Sequence, residues 1–165
     1  MYNPYIEVIA CFYPNVSCHA SAETYNDIVW DGGDSLPTEE VLTPLLLECK
    51  LLTKWEEIKA FRDNRLEHGG YPVGSYWFHS DIYAQSNYTD LLMMGSQIPP
   101  NTYWKTMSGV FVTMTQTLAQ QILGSKAMQK ATTFTKAEQH KAAMQASSDP
   151  LNYDFTTGWP AIYGE

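Results

Sequence analysis

The chain has 165 residues, of which 44% are hydrophobic, 13% aromatic and 17% charged; that balance excludes a natively disordered chain and fits one domain with extended elements. The formal net charge of −8 is confined to the first third, where Glu7, Glu23, Asp27, Asp31, Asp34, Glu39, Glu40 and Glu48 precede the first basic residue, Lys50. With no basic face to displace counterions from phosphates, nucleic-acid binding is set aside, and the acidic segment reads as a solvated face or as a lure for a basic partner.

No window approaches the ~20 apolar residues that span a bilayer, and the first residues lack the basic start and apolar run of a signal peptide, so no membrane partner and synthesis in a cytoplasm are expected. Cys11, Cys18 and Cys49 form an odd set without CxxC spacing, which argues against a disulfide framework and for buried free thiols, with a single Cys11–Cys18 bridge or an intermolecular one as the alternatives.

In chain order, "YIEVIACFY" (Tyr5 to Tyr13) has the β-branched and aromatic content of a strand, and "YNDIVWDGGD" reads as a second strand ending in a turn, with "PNVSCHAS" as loop between them. In "LPTEEVL", Thr38 can cap a helix with Glu39 and Glu40 in its first turn, and a main helix should start near Pro44 and stop at Gly69-Gly70. Along it, Leu45, Cys49 and Leu52 share one face while Ile58 and Phe61 fall nearly opposite, so the helix must change partners.

"YPV", Gly74-Ser75 and "YWFH" read as a hairpin whose turn carries glycine first. Ser80 or Asp81 caps a helix through "IYAQSNYTDLLMM" that closes at Gly95; "TYWKT" and "VFVTM" form a second hairpin; Thr115 caps a last long helix to Ser147. In that helix Ala119, Leu123, Ala127, Ala131, Phe134 and Ala137 form a stripe of mostly small residues, with the other long helix as its expected mate. The ending "NYDFTTGWPAIYGE" reads as an extended tail that docks on something.

The fold class is therefore α+β, in four parts: an N-terminal β element (1–36), a long helix (37–68), a ββαββ-like head of two hairpins (69–114), and a return helix with an aromatic tail (115–165). Whether the helices pair within one chain or across a homotrimer stays open.

"HSD", His79 to Asp81, places triad chemistry side by side, but strand neighbours point to opposite faces, and no nucleophile elbow frames the serine. Ser80 or Asp81 as a cap and His79 as a half-buried strand residue is the better reading. His19, His68, His79 and His140 are scattered, no phosphate-binding loop is present, and the acids of "DGGDSLPTE" lack calcium-loop spacing. No cofactor, metal or catalytic residue is expected.

What remains is an aromatic constellation, Tyr76, Trp77, Tyr103, Trp104 and Trp159, in a head too small to bury all of it. The candidate partner-binding set is Tyr76, Trp77, Trp104, Phe111, Trp159 and Tyr163.

The ordered series "GGYPVGSYWFHSD", "LLMMG" with "IPP", "WKTMSGVFVTMT", "LAQQI" and "AEQHKAAMQASSDPLNYDFTTGWP", over roughly Asp63 to Pro160, resembles a domain of unknown function recurrent in tail-region genes of phages and prophages, beside or within tail-fibre and tail-fibre-assembly proteins. "NDIVWDGGDSLPTEEVL", Asn26 to Leu42, is similar to a second, shorter pattern in small phage tail proteins. The resemblance implies a non-enzymatic virion tail protein, made in the host cytoplasm, that binds fibre or baseplate proteins. The alternatives are a tail-fibre assembly chaperone absent from the virion and, as the weakest reading, a hydrolase, for which the adjacent Glu56-Glu57 is no substitute for paired carboxylates in a cleft.

Overall fold

A computed structural model describes residues 2–32 and 36–165. Helices α1 (Pro4–Phe12), α2 (Glu39–Leu42), α3 (Leu45–His68), α4 (Ile82–Met94) and α5 (Gln116–Ala146) alternate with strands β1 (Cys18–Ala20), β2 (Ile28–Trp30), β3 (Tyr71–Val73), β4 (Tyr76–Phe78), β5 (Tyr103–Lys105) and β6 (Phe111–Thr113). The strands pair as three separate antiparallel hairpins, β1–β2, β3–β4 and β5–β6, so the fold is α+β. The chain divides into two units: residues 1–56 with 148–152, and residues 57–147 with 153–165. The division cuts α3 between Cys49 and Ile58, both fully buried, as the change of helix face requires.

In the first unit the opening element is a helix, not the expected strand. Asn3 caps α1 by accepting from the Tyr5 N–H at 3.0 Å, and Pro4 sits in the first turn, where its missing N–H costs nothing. The Asn3 amide also donates to the carbonyls of Ala22 and Thr24, so one buried side chain starts the helix and anchors the next loop. Val8 and Ile9 on α1 meet Ile28, Leu42 and Cys49 in a small core.

The partner of β2 is β1, which lies inside the segment read as loop, in the register Cys18 to Trp30, His19 to Val29 and Ala20 to Ile28. The turn expected after β2 includes Gly33 and Asp34, which lie outside the described residues. Thr38 stands at the N-cap of α2 without a side-chain hydrogen bond.

In the second unit the local signals hold closely. Gly74, at the β3–β4 turn, has φ +59°, a left-handed value that a glycine adopts without strain. Asp81 caps α4, accepting from the N–H groups of Tyr83 and Ala84, and Thr115 caps α5 by accepting from Leu118. Tyr71, Phe78, Tyr88, Met114, Ala119 and Ile122 form the core.

Two expectations fail on α5. Its main neighbours are α4 and β3 rather than α3, which reaches it through the Arg62 guanidinium 4.3 Å over the Phe134 ring. Its buried residues are Ala119, Ile122, Thr133, Ala137, His140 and Met144, while Ala127, Ala131 and Phe134 are exposed and Leu123 is half-buried. The true stripe includes a threonine and a histidine, and so escapes a search for apolar periodicity.

Candidate binding surface

Strand alternation sorts the aromatic residues of the head onto faces. In the β3–β4 hairpin, Tyr71 faces Phe78 and Val73 faces Tyr76, and this side packs on the core, with Tyr76 39% exposed at its edge. The other side carries Trp77 opposite Pro72 and is covered by the tail, whose Tyr163 ring lies 6.3 Å from Trp77. Gly69 allows that closure: the Tyr163 N–H donates to its carbonyl at 2.8 Å, and a Cβ there would strike the Arg65 carbonyl and the Ile162 side chain.

In the β5–β6 hairpin the inward side chains are Trp104 and Val112, packed on the core, with the Trp104 ring 5.2 Å from that of buried Tyr88. The outward ones are Tyr103, Lys105, Phe111 and Thr113, Lys105 standing opposite Phe111 and Tyr103 opposite Thr113. Tyr103 is 59% and Phe111 64% exposed. The hairpins are tied by the Met107 N–H donating to the Trp77 carbonyl at 2.9 Å.

Of the six candidate binding residues, then, Phe111 is the most exposed, and Tyr76 and Tyr163 are exposed to the same lesser degree. Trp104 and Trp77 are packed within the unit. Trp159 is held between Phe61, at 5.4 Å, and His140, stacked at 4.9 Å, and its indole N–H donates to the Phe155 carbonyl at 2.6 Å. The structure brings Trp77 and Tyr163 together and leaves Phe111 with Tyr103, a residue outside the six whose signal was its phase: it is two positions from Lys105 and one from Trp104.

The tail thus docks on its own unit. Arg65, 9% exposed, grips the Glu165 carboxylate with both terminal nitrogens at 2.7 Å and donates to the Pro160 carbonyl at 2.8 Å. These hydrogen bonds hold the Glu165 carboxyl below its ordinary range. His140 exchanges a hydrogen bond with the Tyr153 hydroxyl at 2.9 Å; burial first, then the Lys136 ammonium, pushes its pKa down.

The "HSD" run also finds its place. Ser80 is buried and its hydroxyl committed: it donates to the Glu67 carbonyl at 2.8 Å and accepts from the Gly70 N–H at 2.9 Å, tying the end of α3 to the start of β3. Asp81 is the cap, and His79 is exposed rather than half-buried. Ser80 and Tyr71 line a cavity of about 430 Å³ in which Asp63 and Glu67, one turn apart on α3, share the walls with Lys126 and Lys130, one turn apart on α5. Burial, then the Asp81 carboxylate, pushes the Tyr71 phenol up to about 12. Among the described residues no cluster of three or more His, Cys, Asp or Glu could hold a metal, and no helix is long and apolar enough to cross a membrane.

No curated protein and no solved structure matches the chain. A family model described as a domain of unknown function (DUF4376) matches residues 51–157, well over half of the sequence, and the chain belongs to that family.

Proposed function

We propose that the protein is a non-enzymatic structural adaptor of a phage tail, binding fibre or baseplate proteins through the outer face of the β5–β6 hairpin. The observation that carries the binding reading is the phase of that hairpin. Its inner side chains, Trp104 and Val112, suffice to attach it to the core, yet the outer face spends two large rings, Tyr103 and Phe111, on water beside Lys105. Rigid aromatics held on a short hairpin lose little entropy on docking and supply much of the energy in protein interfaces. The phage setting rests on the motif series over roughly Asp63 to Pro160 and its resemblance to domains of tail-region genes. The committed hydrogen bonds of Ser80 favour a scaffold over a hydrolase.

Mass spectrometry of purified virions, with stoichiometry against the major tail proteins, tests the reading. Presence in a multiple of three or six supports an adaptor. Absence from virions, with co-purification alongside a fibre protein from lysates, overturns it in favour of an assembly chaperone. The acidic first third, free of Lys and Arg before Lys50, gives the chaperone reading its own footing, because it would complement a basic nascent fibre tip.

A further inference from the structure

Within the first unit, Cys11 on α1 and Cys49 on α3 lie 38 positions apart in sequence with their Sγ atoms 2.9 Å apart. That is about 0.9 Å beyond the ~2.05 Å of a bonded pair, so a small adjustment of either side chain brings the sulfurs to bonding distance. Cys11 is exposed and Cys49 buried in the core beside Val8, Ile9 and Leu42, so one sulfur is open to reagents and the other is reached through it. Cys18, the third free cysteine, stands half-buried on β1.

We infer that Cys11 and Cys49 are a thiol–disulfide exchange site, oxidised by low-molecular-weight disulfides to an intramolecular bond that fastens α1 to α3. The exchange runs in two displacements. The Cys11 thiolate attacks one sulfur of the disulfide RSSR; the S–S bond breaks, and one RS⁻ leaves with its electron pair and takes up the proton that Cys11 gave. Cys49 then loses its proton and attacks Cys11 Sγ in the mixed disulfide; the second RS⁻ leaves and is protonated in turn. The cysteine pair loses two electrons, and RSSR is reduced to two RSH.

Burial, then the neighbouring Cys11 thiol and the Glu7 carboxylate, pushes the Cys49 thiol up to about 12, while Lys50 opposes the shift. Cys49, buried behind the exposed Cys11 and less easily ionised, is therefore the second attacker.

The test is incubation of the full, folded chain with oxidised glutathione, acid quench, alkylation and peptide mapping. The expected product is two hydrogens lighter than the reduced protein, joins the Cys11 and Cys49 peptides, leaves Cys18 alkylated, and reverts with dithiothreitol. In Cys49→Ala the reaction should stop at a glutathione adduct on Cys11. A link through Cys18, a lasting Cys11 adduct in the unsubstituted chain, or no reaction at Cys11 would each overturn the inference. The primary readout needs no variant, so a substitution that failed to fold would leave the test intact.

Discussion

The two hairpins of the head are built alike and end differently. Each has three-residue strands, one face on a shared core and one face turned away from it. Over β3–β4 the far face is closed by the tail, which lays Tyr163 on Trp77 and is pinned by Arg65. Over β5–β6 the far face stays open, with Tyr103 and Phe111 mostly in water. Alternation supplies two faces to each hairpin, and a segment many residues away decides which of them becomes interior. An aromatic residue in such a module is therefore a candidate for binding only after the tail has taken its share.

The largest effect should come from emptying the inner face of the open hairpin. Trp104→Ala removes a ring packed on Tyr88 and the core, and urea unfolding should show a loss of about 3 kcal/mol. A change below ~1 kcal/mol would mean that the hairpin is held by its backbone and turn rather than by this ring.

Next is the clamp. Arg65→Ala deletes the hydrogen bonds to Glu165 and Pro160 and should cost about 1–2 kcal/mol, kept modest because the Glu165 carboxylate is half in water. Hydrogen exchange at the Tyr163 amide is the sharper measurement, since that amide bonds to Gly69 and should lose protection if the tail lifts. If Trp77 then becomes accessible, the closed hairpin will have been converted into a copy of the open one.

A smaller weakening of the same strap should follow acidification. His140 is buried against Trp159 and Tyr153, with the Lys136 ammonium adding to its depressed pKa and Asp154 opposing. Its neutral form is the one the fold prefers, so the unfolded chain binds more protons. The contribution is fully present above the unfolded value near 6.5 and is lost as pH falls from there through the lower folded pKa. Removing the imidazole, as in His140→Gln, should flatten thermal-unfolding midpoints across that window.

The parts of this arrangement that could be read in advance are those governed by neighbours in sequence. The glycine turn at Gly74, the Asp81 and Thr115 caps and the proline start of α3 are short-range stereochemistry, and all are where the residues put them. Composition misled where two local signals competed. In "NPYIEVIACF" the β-branched residues speak for a strand, but the Asn3 cap and Pro4 supply hydrogen bonds and a fixed φ that a strand would waste.

Long-range facts were out of reach. Three residues of β1 mean nothing until β2 lies beside them, and the buried face of α5 includes Thr133 and His140, polar residues that a search for apolar periodicity passes over. The Cys11–Cys49 approach, across 38 positions, left no trace in spacing.

The smallest effect on stability carries the most information about function. Phe111→Ala removes an outward ring that the core does not use, so the unfolding midpoint should stay within about 0.5 kcal/mol of the unsubstituted protein. Affinity for a fibre or baseplate partner should nevertheless fall by roughly 1–3 kcal/mol if the ring sits at the centre of the interface. Trp104→Ala, on the opposite side of the same strand pair, should show the reverse profile, a loss of stability with binding reduced only in proportion to the folded fraction. If both variants lose binding and stability together, the outer face is part of the fold's own support and the interface lies elsewhere. If Phe111→Ala binds as well as the parent, the open face is surplus, and the acidic first third becomes the surface on which a partner should be sought.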